Sequence, residues 1–85
     1  MLRQEETKEI SKKVQTMIII GGKNSSNTKK IYDIAKKYCT TFLIENVKEL
    51  DIKSIKDKKT IGIMAGASTP KETIQEVVEI IKKIW

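Results

Sequence analysis

Four consecutive polar residues, Asn24, Ser25, Ser26 and Asn27, follow Gly21-Gly22 and precede a stretch of helical periodicity. Hydroxyls and amides grouped at a helix start can hold an anion through hydrogen bonds without any group that must titrate. The competing account is a plain helix cap, in which Ser26 or Asn27 accepts the orphan N–H groups of the first turn. Two features resist it as a full explanation. The expected first turn carries Lys29 and Lys30 with no acid before Asp33, the wrong sign for the positive end of a helix. One residue also suffices for a cap, and here there are four, with Thr28 behind them.

A second loop, Ala65-Gly66-Ala67-Ser68-Thr69-Pro70, has a related composition. Thr69-Pro70-Lys71-Glu72 matches a capping box with proline at the first helical position, which assigns Thr69 and Glu72 to structure. Ser68 is not needed for that cap and is free to bond a ligand, the alternative being a turn residue that bonds its own backbone.

Other chemistries are narrowed by what the chain contains. It has no histidine, hence no imidazole for acid–base work and no ordinary zinc set. Its single cysteine, Cys39, cannot form an internal disulfide and reads as a small, partly buried structural residue. Met64 and Trp85 read as packing residues. The net charge of +6 invites nucleic acid, yet among 17 basic residues only Arg3 is an arginine and there are four aromatics. The lysines fall as scattered pairs at 12–13, 29–30, 36–37, 58–59 and 82–83, so specific nucleic-acid binding is not favoured. The longest wholly apolar run, Met17–Ile20, is far too short for a membrane span, and the N-terminus is no signal peptide. A cytoplasmic setting is the default expectation.

These loops need elements to hold them. Residues 5–14 read as a charged helix with a narrow apolar stripe at Ile10 and Val14. Met17–Ile20 is continuously apolar, as a parallel strand covered on both faces requires. Ile31, Ile34, Ala35 and Tyr38 then recur with helical spacing. Phe42–Ile44 forms a second strand, residues 45–59 a short helix plus turn, and Thr60–Met64 a third strand. Ile74, Val77, Val78, Ile81 and Ile84 mark a strongly amphipathic last helix. The 85 residues are expected to make one α/β lobe, a small three-layer domain with a mostly parallel sheet of three to four strands flanked by helices. Both serine loops then fall at the carboxyl ends of strands, where open parallel sheets bind ligands.

The segments Gly21–Thr28, Leu43-Ile44-Glu45-Asn46, Gly62 and Ala65–Pro70 together resemble, in order and spacing, the C-terminal third of 4-hydroxy-3-methylbut-2-enyl diphosphate reductase, the IspH/LytB family. The resemblance covers essentially the whole chain. It implies an enzyme of three similar lobes around a 4Fe-4S iron–sulfur cluster. That enzyme takes two electrons and two protons to remove the allylic hydroxyl of its substrate, giving isopentenyl and dimethylallyl diphosphates in the non-mevalonate pathway. It further implies an allylic diphosphate as substrate, the remaining two lobes as partners, and a reducing partner such as ferredoxin or flavodoxin. Family diphosphate contacts carry over to Ser25, Ser26, Asn27 and Ser68. Arg3-Gln4 look like the tail of a Cys-Tyr-Ala-Thr-x-x-x-Arg-Gln motif whose cysteine is missing, and Cys39 occupies none of the cluster-ligand places. The chain is therefore expected to be a fragment, with Met1 an internal or artificial start, that holds no cluster alone, contains no catalytic residue and is inactive in isolation.

Two other classes compete. A stand-alone anion- or nucleotide-binding α/β module would use the same two helix starts. A basic interaction domain would use the lysines instead.

Overall fold

The pattern around Met17–Ile20 is what organises the chain. In the computed structural model, which describes residues 4–56, 59–66 and 69–84, this run lies in strand β1 (Thr16–Ile20), and all five of its residues are buried. It is the middle of a three-stranded sheet in the order β2-β1-β3, with β2 at Thr40–Ile44 and β3 at Ile61–Ala65. Both pairings are parallel and in step: Thr16 faces Thr40 and Ile61, and Ile20 faces Ile44 and Ala65.

Helix α1 (Gln4–Lys13) precedes β1, and α2 (Ser26–Ala35) joins β1 to β2. The crossover from β2 to β3 carries a one-turn 3-10 helix at Val47–Glu49 and a short α3 (Ile52–Ile55). Helix α4 (Lys71–Ile84) follows β3. Alternate residues of β1 feed two separate cores. Ile18 and Ile20 pack with Ile44, Leu50, Ile55 and Val77 on the α3/α4 side. Met17 and Ile19 pack with Ile31, Ala35 and Met64 on the α2 side. Each fully buried side chain of this size stabilises the fold by about 1.5–3 kcal/mol relative to exposure. The α/β class, three layers and parallel sheet expected from the sequence are all present, with three strands.

Two local expectations are corrected. Helix α1 buries Thr7 and Ser11, four residues apart on one face, while Ile10 stays 37% exposed and Val14, just beyond the helix end, packs partly buried against the α2-side core as expected. Small hydroxyl side chains let α1 come close to α2, and Ile10 instead reaches over Gly62, where an added Cβ would lie 3.2 Å from its Cγ2. Tyr38 falls outside α2 and is 41% exposed, because the helix ends three residues earlier. There Lys12 lies over the Tyr38 ring at 5.5 Å. Among the described residues no helix is long and apolar enough to cross a membrane.

Candidate functional site

The three strands finish flush at their carboxyl ends, where the Gly21 N–H donates to the Ile44 carbonyl and the Gly66 N–H to the Ile20 carbonyl, both at 2.9 Å. The chain leaving β1 crosses one face of the sheet toward β2, and the chain leaving β3 turns onto the opposite face. Divergence of this kind creates a topological switch point at the β1/β3 boundary, the place where doubly wound sheets bind ligands. The loops carrying the two sequence motifs are its walls.

In the first wall a turn is closed by the Ser25 N–H donating to the Gly22 carbonyl at 3.0 Å. Ser25 then adopts an extended backbone and caps α2: its Oγ accepts from the Thr28 N–H at 3.3 Å, and its carbonyl accepts from the Lys29 N–H at 3.0 Å. The cap is thus Ser25, not Ser26 or Asn27. Those two are the first two helical residues, and their side chains, like that of Asn24, make no hydrogen bond among the described residues. The first N–H groups of a helix also lack intrahelical partners, so donors of both kinds converge here. No acid occupies the first turn of α2. Lys29 and Lys30 are exposed, without an ion-pair partner among the described residues, and sit one residue deeper in the helix than a cap at Ser26 would put them.

The second wall is built differently from the expected capping box. The Thr69 N–H, which that box would give to Glu72, donates to the Gly66 carbonyl at 3.0 Å. Its Oγ1 donates to the Ile20 carbonyl at 3.0 Å, tying the loop to the end of β1. Helix α4 starts at Lys71, leaving Pro70 as the residue before it. Thr69 is structural as expected, but as a cross-strand tie. Ser68 lies outside the described residues.

Sequence reasoning missed a tether on the far side of the first wall. Lys23 Nζ donates to Glu49 Oε1 at 2.5 Å, and Glu49 Oε2 accepts from the Glu45 N–H at 3.0 Å. The hydrogen bond to Glu49 and its charge hold the Lys23 ammonium above its usual range, and the bond from Lys23, then that from the Glu45 backbone, hold Glu49 below the usual carboxylate range. Residues 26 positions apart carry no local pattern that announces such a pair.

An iron–sulfur cluster needs several thiolates. Cys39, the chain's one cysteine, is half-buried at the other edge of the sheet, its Sγ 3.7 Å from the Ala35 carbonyl and from Thr41 Oγ1. The length of β2, about 13 Å, separates it from the loop edge. No group of three or more potential metal ligands exists among the described residues. The residues of this chain do not fit a cluster.

Topology and loops together define a doubly wound α/β lobe with unpartnered polar side chains beside its switch point. A family model described as LytB protein matches residues 1–82, and the chain belongs to that family. It is 52% identical over 82 residues to the 4-hydroxy-3-methylbut-2-enyl diphosphate reductase of a Nitratiruptor species, covering 95% of this chain and 30% of that protein. Against the reductase of Clostridium perfringens (strain 13 / Type A) identity is 52% over 86 residues, with 98% and 30% covered. A solved structure of (E)-4-hydroxy-3-methyl-but-2-enyl diphosphate reductase, described as the terminal enzyme of the non-mevalonate pathway, superposes with a TM-score of 0.88 at 44% identity, covering 95% of this chain and 29% of that one. The corresponding reductase of Plasmodium falciparum gives 0.86 at 28% identity, with 93% and 25% covered. The chain thus spans about 30% of the length of the curated relatives it matches.

Proposed function

We propose that this chain, as a single lobe over residues 1–85, is the substrate-diphosphate-holding part of a 4-hydroxy-3-methylbut-2-enyl diphosphate reductase, corresponding to its C-terminal third. The observation that carries the reading is the pair of unpartnered side chains, Ser26 and Asn27, at a helix start without an acid, beside the switch point of the sheet. Ser25, whose Oγ accepts the cap bond, keeps its hydroxyl hydrogen to donate, and Ser68 is assigned to the same anion from the second loop. Lys29 and Lys30 add positive potential. All of these groups are suited to the polyanionic end of an allylic diphosphate.

In this reading the reductive loss of the allylic hydroxyl, with two electrons and two protons, takes place on parts of the enzyme outside these 85 residues. The 4Fe-4S cluster is held there, and electrons come from a carrier such as ferredoxin or flavodoxin. This lobe binds and orients. By fixing the diphosphate it sets where the allylic end lies, and an error of about 1 Å in such placement can cost about 100-fold in rate.

The test is a graft in which these 85 residues replace the matching segment of the Clostridium perfringens reductase. Reductase activity with a KM within about threefold of the parent supports the proposal. A folded graft that neither turns over substrate nor binds pyrophosphate overturns it. Preferential binding of mononucleotides over pyrophosphate would instead favour a stand-alone nucleotide module.

A further inference from the structure

Thr28 lies at the third position of α2, only 2% exposed, and its side chain stands where both glycine loops come together. A Cβ placed on Gly21 would lie 2.9 Å from Thr28 Oγ1 and 3.0 Å from its Cγ2. A Cβ placed on Gly66 would lie 3.0 Å from the same Oγ1. The residues just after β1 and β3 therefore meet around a single threonine, and a side chain on either would press against it. Meanwhile the Thr28 N–H is bonded to Ser25 Oγ, and the Gly66 loop is bonded to β1 through Gly66 N–H and Thr69 Oγ1, both on the Ile20 carbonyl.

We infer that Thr28 is a positioning residue that sets the gap between the two walls of the anion site. The inference rests on the diphosphate-binding reading above and deepens it. Thr28 contacts the walls rather than the ligand. Through its N–H it fixes the capping serine, and through its side chain it fixes Gly21 on one side and Gly66 on the other. Residues 25–27 are then held at a fixed spacing from Gly66 and Thr69. The same contact favours glycine at both positions, since an alanine at 21 would force Thr28 to shift and an alanine at 66 would press on its Oγ1 at 3.0 Å.

The geometry specifies a reciprocal rescue. With Thr28→Ala, the remaining neighbours of an added Cβ would be the residue 28 Cβ at 3.5 Å for Gly21 and Thr69 Oγ1 at 3.6 Å for Gly66, ordinary contacts in both cases. In the graft, Thr28→Ala and Gly66→Ala are each expected to raise KM by about tenfold with kcat changed by less than about twofold, because the gap loosens in one and is forced open in the other. Combined, they refill the space from the opposite side and return KM to within about threefold of the unsubstituted graft. Thr28→Ser keeps the atom nearest both glycines and is expected to leave KM unchanged, which guards against general misfolding.

Two results overturn the inference while the binding reading stands. One is a melting temperature lowered by Thr28→Ala with KM unchanged, the mark of core packing alone. The other is KM effects that simply multiply in the double variant. An unsubstituted graft that folds but neither turns over substrate nor binds pyrophosphate overturns the binding reading itself, and the inference with it.

Discussion

Replacing Ser25, Ser26 and Asn27 one at a time by alanine separates folding from binding within three adjacent residues. Ser25 Oγ satisfies the Thr28 N–H, and losing an N-cap of this kind costs about 1 kcal/mol. The 3.3 Å bond is long and argues for less, whereas Thr28 is only 2% exposed, so water cannot readily replace the lost acceptor and the cost rises again. About 1 kcal/mol lowers the melting temperature of a domain this size by about 4–8 °C. Ser26 makes no bond and is exposed, and alanine is the better helix former by up to about 0.5 kcal/mol, so Ser26→Ala should melt at or slightly above the parent temperature. Asn27→Ala, removing another unbonded side chain, should also stay within about 0.5 kcal/mol of the parent. Pyrophosphate affinity should divide the other way. A hydrogen bond to a charged group is worth about 1.5–3 kcal/mol, so Ser26→Ala and Asn27→Ala should each weaken binding by about tenfold or more. Thermal unfolding by circular dichroism and calorimetric titration with pyrophosphate, run on the same four proteins, give both axes. If Ser26→Ala and Asn27→Ala melt early and bind pyrophosphate normally, these are structural residues and the anion site does not lie at the start of α2.

Further outcomes follow from individual contacts. Ser11→Ala should stabilise the chain by about 1 kcal/mol in chemical denaturation, because its buried Oγ has no hydrogen-bond partner among the described residues and alanine favours the helix. Gly62→Ala should cost about 1 kcal/mol in the same assay, since its Cβ would sit 3.1 Å from Met17 Sδ and 3.2 Å from Ile10 Cγ2, pushing α1 off the sheet. Glu49→Gln should remove a small, pH-dependent contribution. Glu49 is held below the usual carboxylate range, so its share is present at neutral pH and is lost as pH falls through that lowered value. Lys23 is held above its usual range, so its share is present at neutral pH and is lost as pH rises through the raised value. The stability difference between parent and variant should therefore be flat through neutral pH, closing on the acid side as Glu49 protonates below the usual carboxylate range and on the alkaline side as Lys23 deprotonates above the usual ammonium range. Both side chains are solvent-accessible, 52% and 29%, so the difference should also shrink in high salt.

Much of the architecture was legible because hydrophobic periodicity is a local signal. The unbroken Met17–Ile20 run could only be an inner parallel strand, and the stripe from Ile74 to Ile81 could only be a helix lying on a sheet. The errors arose where tertiary contact overrode local pattern. The pattern marks Ile10 as part of the apolar stripe of α1, but the residues this helix buries completely are Thr7 and Ser11, while Ile10, reaching over Gly62, stays 37% exposed. Thr69-Pro70-Lys71-Glu72 had the letters of a capping box, yet the Ile20 carbonyl at the end of a strand 49 residues away competed for the threonine hydroxyl, and Gly66 took its N–H. Glu49 and Lys23 meet only because parallel strands bring two consecutive loops to one edge.

The polar cluster from Asn24 to Thr28 divides its side chains between the fold and the proposed ligand. Of the side chains from Asn24 to Thr28, Ser25 closes the helix start and Thr28 fills the space between two glycines, so two are consumed by the fold. Asn24, Ser26 and Asn27 remain without partners among the described residues. Three unbonded polar side chains, two of them opening a helix that contributes free N–H groups and no acid, are what a bound anion would satisfy. Ser26 and Asn27 lie directly between Ser25 and Thr28, so any movement of the cap or of Thr28 shifts these unpaired groups with it. If this is the anion site, as proposed, its affinity should follow the spacing of β1 and β3, which the Thr28→Ala and Gly66→Ala pair tests.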